Sequence, residues 1–388
     1  MRILVCMKQV AEIASAVMKD GYVLDREKSG HIMNPADCAA LEQALLIKDV
    51  NEASITVMSM GTEYAESLLK QVAPFDIEQL ILITDKSYGG SDTLATATIL
   101  KRAIDLLGPF DLVLMGRKAI DGETGHVGPE VAALLGTTCI TNVTKISTVD
   151  EKVVLCDRLL EDSRVELSVE MPTVITICGG VNRLRPASIL GMRKAKSKEV
   201  IRLTNAQLML EADEIGTEGS PTWVSKVVKM EDKPRQGIYY YDSVNGAKAI
   251  VDAILLYREG KLANKTGNNH VRLAQKKPKG LHGVCVFMKD EESLKAGASL
   301  IAHCMGSGCD TVKIEVNDRN CYDDLQVALS ISEILSEIHL STLVFPGTVL
   351  GRSVGPMVAA LKGLGITADC TEISYLEDGT MVQIRPAF

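Results

Sequence analysis

The sequence lacks any apolar run approaching the roughly 18 residues that a membrane-spanning helix needs. Its longest, such as Ile3–Met7 and Leu80–Ile83, are strand-sized, so no membrane span is expected. The opening Met1-Arg2-Ile3-Leu4-Val5-Cys6-Met7-Lys8 is too short in its apolar part and too polar in its flank for a signal sequence. It reads as the first β-strand of a cytoplasmic protein. A sustained basic block is also missing, and 50 acidic against 42 basic residues leave a net charge of −8. That balance argues against nucleic acid as a partner. The ten cysteines include no Cys-x-x-Cys pair, and His303, Cys304 and Cys309 lack zinc-ligand spacing. Reduced, mostly buried thiols and no metal are the expectation.

The common catalytic signatures are missing too. There is no Gly-x-Gly-x-x-Gly after the first strand and no Walker lysine loop, and Met305-Gly306-Ser307-Gly308-Cys309-Asp310 reads as a turn. No Ser-His-Asp order and no paired carboxylates in a helical frame occur, so no catalytic residue is assigned. A carrier or nucleotide-binding module fits this pattern better than a hydrolase.

What is present is an ordinary globular composition, 46% hydrophobic and 24% charged over 388 residues, enough for two or three domains. Short Val/Ile/Leu runs alternate with segments of helical period, the signature of βαβ units and a parallel sheet. Expected strands are Ile3–Met7, Ser54–Met60, Gln79–Ile83, Leu112–Met115 and Pro172–Ile177. Expected helices are Asp37–Lys48, Glu63–Gln71, Asp92–Leu107 and Pro129–Leu135. Alternation around Lys152–Leu155 and Arg164–Leu167 predicts an antiparallel hairpin at a sheet edge. Beyond residue 183 come a basic stretch, an irregular region to Gln236 and a helix over Asn245–Arg258. A polar linker over 261–280 precedes a second α/β pattern from Leu281.

An internal repeat relates the two α/β patterns. Val127-Gly128-Pro129-Glu130-Val131-Ala132-Ala133-Leu134 returns as Val354-Gly355-Pro356-Met357-Val358-Ala359-Ala360-Leu361, differing at one position. Each copy follows a strand and precedes a Thr-bearing segment, Thr137–Thr144 and Thr367–Thr371, each expected to be a strand. Duplication explains this more economically than chance.

The loop from Gly116 to Pro129 follows a strand and opens a helix, where loop amides and a helix start converge on an anion in an open parallel sheet. Gly122, Gly125 and Gly128 would let backbone approach a phosphate, and fourteen residues is long for a connection without a ligand. Asp121 and Glu123 would oppose a bare phosphate and fit loop orientation or contact with a ribose or base better. His126 could donate to a phosphate or face solvent. Thr93 and Thr96 share the face of a helix start capped by Ser91 or Asp92, which suits a phosphate and a capped helix equally. Asn34-Pro35-Ala36-Asp37 reads as a helix cap.

These motifs, in order, resemble the beta subunit of electron transfer flavoprotein. They are Val5-Cys6-Met7-Lys8-Gln9-Val10, Met33-Asn34-Pro35 with Asp37, Ser59-Met60-Gly61, Asp92-Thr93-Leu94-Ala95-Thr96 and Gly116-Arg117-Lys118-Ala119-Ile120-Asp121-Gly122. The resemblance covers about residues 1–260. From Leu281, Gly351-Arg352-Ser353-Val354-Gly355-Pro356 and Gly365-Ile366-Thr367-Ala368-Asp369-Cys370-Thr371 resemble the N-terminal domain of the alpha subunit. The resemblance implies two related doubly wound, mostly parallel α/β sheets of adenine nucleotide alpha-hydrolase-like type, the first with a hairpin and a C-terminal extension. It divides the chain into 1–260, a linker 261–280 and an alpha-type unit 281–388.

It further implies an adenine nucleotide, AMP in housekeeping members and FAD in electron-bifurcating ones. The contacts would be Cys6, Asn34, Asp37, Met60, Thr93, Thr96, Asp121, Gly122, Thr124, Gly125, His126 and Val127. The Asp92–Thr96 and Asp121–Thr124 segments favour FAD. The implied role is an electron carrier in a heterodimer, serving fatty acid oxidation or an NADH-dependent bifurcating complex. Its alternative is a scaffold holding AMP with no redox step. Ile189, set among Arg183–Lys198 with Arg193 and Lys194, resembles the loop that docks on acyl-CoA dehydrogenase partners. Two departures stand out: Ala11-Glu12 replaces the usual Pro-Asp, and Gly125-His126 replaces a common Ala-Gln. The Ser-Gly-x-x-Gln-His type motif of the alpha subunit's FAD domain does not occur, so either another chain or domain supplies that domain or the alpha-type unit is a truncated fusion with at most the beta-site nucleotide.

Overall fold

The structure, a computed structural model, describes residues 1–12, 30–150, 152–227, 281–287, 311–316, 323–376 and 380–385, two short strand pieces at Met18–Lys19 and Val23–Leu24, and positions 244, 247–249, 251–252 and 255. The linker 261–280, the turn at Met305–Asp310 and most of the helix expected over Asn245–Arg258 lie outside the described residues.

A nine-stranded sheet organises the first unit. Its order is Arg164–Glu170, Val153–Leu159, Thr138–Val149, Thr173–Ile177, Leu112–Gly116, Arg2–Cys6, Ser54–Met60, Gln79–Ile83 and Val200–Leu203. From Thr138–Val149 to Val200–Leu203 every pairing is parallel, and the expected hairpin adds two antiparallel pairings at one edge. The central parallel strands are largely apolar on both faces, as strands covered by helices on both sides must be. The five strands and four helices expected between Ile3 and Ile177 by periodicity form, with ends shifted by one or two residues, and the strand expected over Thr137–Thr144 runs on to Val149. The strand Val200–Leu203 was not expected: a four-residue run containing Arg202 carries little periodicity, and pairing with Gln79–Ile83 supplies what its sequence does not.

Order along the sheet reverses at Arg2–Cys6, which has Ser54–Met60 on one side and Leu112–Gly116 on the other. Loops leaving the carboxyl ends there diverge and open a crevice. The helices that follow these strands start at this end. Helix Pro35–Val50 begins with proline, whose fixed φ suits a first turn. Helix Thr93–Leu107 is capped by Asp92, which accepts from Ala95 N at 3.0 Å. Helix Val127–Leu135 ends at Gly136 in the left-handed region, φ +65°.

The second unit repeats this plan in smaller form. Thr311–Val316, Leu281–Phe287 and Leu340–Val344 form a parallel three-stranded sheet, followed by helix Val349–Lys362, which ends at Gly363 with φ +63°. Both repeat copies thus fold as strand, loop, helix and left-handed glycine. The copies differ before the helix. Ten residues separate Gly116 from Val127, whereas in the second copy the helix begins five residues ahead of the shared Val-Gly-Pro, leaving only a short loop after Val344. The segment Thr367–Thr371 is not a strand: Asp369 turns at φ +52°, and the strand starts at Glu372.

The two units share one core. Helix Val349–Lys362 packs on its repeat counterpart Val127–Leu135. Val131 and Ala132 lie in the same buried cluster as Leu325, Ala328, Ile331, Val354, Met357 and Val358. Among the described residues, no helix is long and apolar enough to cross a membrane.

Candidate functional site

The crevice at the sheet reversal is built by two buried polar side chains. Asp37, in the first turn of its helix, accepts from Lys8 N at 2.7 Å and Gly116 N at 3.0 Å, tying together the ends of two adjacent strands. Burial pushes its carboxyl up to about 6, against the pull of these amides. Gly116 is required here, because a Cβ would collide with Asp37 and Ala36. Asn34 occupies the N-cap position but makes no side-chain cap. Its amide instead braces the glycine loop, donating to Lys118 O at 3.1 Å and accepting from Ile120 N at 3.3 Å. The expectation of a simple helix cap at Asn34 is corrected accordingly.

Beyond this brace the loop turns over the crevice. Lys8 Nζ pairs with Asp121 at 2.7 Å and Lys118 Nζ with Glu123 at 3.0 Å, so each acidic side chain is tied to a nearby lysine. Glu123 and Gly125 take positive φ, +50° and +68°. At Gly122 an added Cβ would meet nothing within 4 Å, leaving open space beside the backbone. From the second unit, Arg385 Nη2 donates to Gly122 O at 2.6 Å.

His126, buried at the start of helix Val127–Leu135, has no partner for Nδ1. Burial, then the positive fields of Arg385 and Arg352, push its pKa down to about 4, so it stands neutral at pH 7. Glu130, one turn on, is fully buried, accepts from Thr93 Oγ1 at 2.9 Å and leaves Oε2 unpartnered. Burial lifts its carboxyl to about 8, so it is largely protonated at neutral pH.

The structure therefore gathers most of the expected contacts. Cys6, Met60 and Gly116 end adjacent strands, Asn34 and Asp37 lie at the first helix start, and Asp121–Val127 cover the crevice. Thr93 reaches this group through Glu130, and Thr96, half-buried, follows one turn later. Cys6 is buried, its thiol pushed well up by burial and the field of Asp37, so it acts as packing rather than as a thiolate. Ile189, Arg193 and Lys194 do not join this group. They lie on the exposed helix Ile189–Ala195, seated against Pro74.

Glu130 escaped the sequence reading although a signal existed. It is the one position at which the eight-residue repeats differ, with buried Met357 as its counterpart. Arg352 and Arg385 could not be found that way, because only the docking of the two units brings them to the loop. Among the described residues no cluster could hold a metal ion.

A model of the electron transfer flavoprotein domain matches residues 21–208 and again 271–388. The chain belongs to the electron transfer flavoprotein family. The acryloyl-CoA reductase electron transfer subunit gamma of Anaerotignum propionicum is 36% identical over 248 residues, 61% of this chain and 91% of that protein. The electron transfer flavoprotein subunit beta of Megasphaera elsdenii is 35% identical over 257 residues, 61% and 95%. The caffeyl-CoA reductase-Etf complex subunit CarD of Acetobacterium woodii is 32% identical over 274 residues, 70% and 100%. The second stretch of the family match packs on the first.

Proposed function

We propose that this chain is a cytoplasmic electron-transfer subunit holding an adenine nucleotide, FAD in preference to AMP, under the glycine loop of its first unit. The observation that carries the reading is the solvent-open backbone at Gly122, at the carboxyl ends of the reversing strands, in the same loop that leads to His126, whose buried Nδ1 has no partner. Backbone can approach an anion there without a Cβ in the way, and neutral His126 can offer an N–H. Bound FAD would supply electron-accepting and electron-donating capacity. The chain's own residues would bind and orient it: Asn34 and Asp37 fix the loop, Asp121 is held by Lys8, and the buried surroundings of Cys6 and Met60 keep water away.

On this reading residues 1–260 are a beta-type unit and 281–388 an alpha-subunit N-terminal-type unit. The partners would be NADH or an acyl-CoA dehydrogenase on one side and a chain or domain carrying the flavin domain on the other. The exposed apolar residues Ile189, Leu190 and Met192, flanked by Arg193 and Lys194, suit docking on an acidic partner surface.

Purification of the intact chain tests this. A yellow protein whose flavin spectrum bleaches with NADH supports the redox role. A colourless protein that releases AMP on denaturation reduces the role to a scaffold, and one that releases neither overturns the nucleotide site.

A further inference from the structure

Where the glycine loop meets the second unit there is a cavity of about 140 Å³. It is well below the roughly 300 Å³ at which pockets for whole drug-sized ligands begin, so it admits a group, not an entire nucleotide. Its charged lining comprises Arg117, Lys118 and Glu123 from the loop and Arg352 and Asp369 from the second unit. Lys118 is paired with Glu123 and Arg352 with Asp369. Arg117 is left over: its guanidinium has no hydrogen-bond or carboxylate partner among the described residues. Thr176, 1% exposed on the floor strand Thr173–Ile177, also lines the cavity, and its hydroxyl has no partner. A buried hydroxyl without a bond costs free energy that an oxyanion would recover, and the half-exposed Arg117 offers that oxyanion an uncommitted cation. The start of helix Val349–Lys362 adds nothing, because Val349 N and Gly351 N already donate to Glu161 and Thr348.

We propose that this seam is a phosphoryl-binding subsite, in which Arg117 and Thr176 hold the oxyanion and Arg352 contributes the field of the second unit. Arginine's planar fork suits phosphoryl oxygens, and Thr124 of the proposed nucleotide loop lines the same cavity. The phosphoryl group comes from a nucleotide held by that loop or from free phosphate. The subsite rests on the nucleotide reading for the first source only.

Calorimetric titration of the intact, ligand-stripped chain with inorganic phosphate, AMP and adenosine separates the cases, using Arg117→Gln and Thr176→Val. Thr176→Val keeps the methyl that packs on Gly128, so a folding failure in one variant does not remove the other. Saturable phosphate binding, weakened tenfold or more in either variant, is the expected result. If the nucleotide is the source, phosphate competes with AMP, and Arg117→Gln weakens AMP tenfold while leaving adenosine unchanged. If phosphate is the source, AMP and phosphate bind without competition. Binding of AMP and adenosine that ignores both substitutions, with no saturable phosphate binding, overturns the subsite but leaves the nucleotide reading standing. Failure of AMP and adenosine alone removes that reading while the phosphate titration still decides the subsite.

Discussion

Arg158 and Asp324, 166 positions apart in the chain, form a two-pronged ion pair with both side chains fully withdrawn from solvent, at 3.0 and 2.6 Å. Arg158 stands on the hairpin strand Val153–Leu159 and Asp324 opens helix Asp324–Glu337, so the pair joins the two family units through their common core. Thr141 accepts a further bond from Arg158 at 2.9 Å. With the shared apolar cluster, this makes the second unit part of the first unit's fold.

Removing one partner of such a pair leaves a charge buried without compensation, whereas replacing both with apolar groups is often neutral. Asp324→Ala is expected to lower the unfolding free energy by about 3–5 kcal/mol. Arg158→Met combined with Asp324→Leu is expected to recover most of that loss. Urea denaturation of both variants checks this, and equal losses in the single and double variants would show that the pair does not bind the units together.

The pH dependence of stability follows from Glu130. Its folded-state pKa, lifted by burial to about 8 from an ordinary 4.5, means the folded chain holds a proton that the unfolded chain has released. Stability from this group is complete below about 4.5 and is lost as pH rises to about 8. Glu130→Gln mimics the protonated form and can still accept from Thr93. Relative to wild type, the variant is expected to gain stability from pH 5 to pH 8, at up to about 1.4 kcal/mol per pH unit. Parallel curves in urea melts at pH 5, 6.5 and 8 would show that Glu130 is ionised in the fold. His126, held down near 4 by burial, works in the opposite sense: its contribution fades as pH falls from about 6.5 to 4.

Much of this arrangement could be read from the sequence. Periodicity located the parallel strands, and the Val-Gly-Pro repeat located both copies of the unit, because each pattern reflects local geometry. The glycine loop was recognisable from its length and its place after Leu112–Gly116. Less visible was how the site is held. Asn34 looks like a cap, yet its amide spans 84 positions to Lys118, and Arg352 reaches the seam only through helix packing. Contacts made across large sequence separations leave no local pattern to read.

Asn34 supplies two of the loop's hydrogen bonds from a buried position. Asn34→Ala leaves Lys118 O and Ile120 N without that partner, at about 1–3 kcal/mol per unsatisfied buried group. The loop amides from 117 to 122 are expected to exchange hydrogen at least tenfold faster while strand Arg2–Cys6 stays protected. Unchanged loop exchange would mean that the brace is redundant.

Ile189 is 71% exposed on a helix capped by Ser188, so its side chain contributes little to the fold. Ile189→Ala is expected to change stability by less than about 0.5 kcal/mol and to weaken partner docking severalfold. Electron-transfer rates at varied partner concentration separate these effects, and an unaltered apparent affinity would count against a docking role for the helix.

Gly122 and Gly125 both lie in the glycine loop, but substitutions there have different consequences. Gly125 has φ +68°, so any side chain strains the backbone by about 1–2 kcal/mol whether or not a ligand binds. Gly122 lies outside that region, and an added Cβ meets no protein atom within 4 Å. Gly122→Val should therefore leave stability within about 0.5 kcal/mol of wild type while filling the space through which backbone approaches an anion. Bound nucleotide, measured by mass after denaturation, is expected to fall at least tenfold in Gly122→Val with its melting curve unchanged. Full nucleotide content in that variant would place the ligand elsewhere, because no folding defect could account for the result.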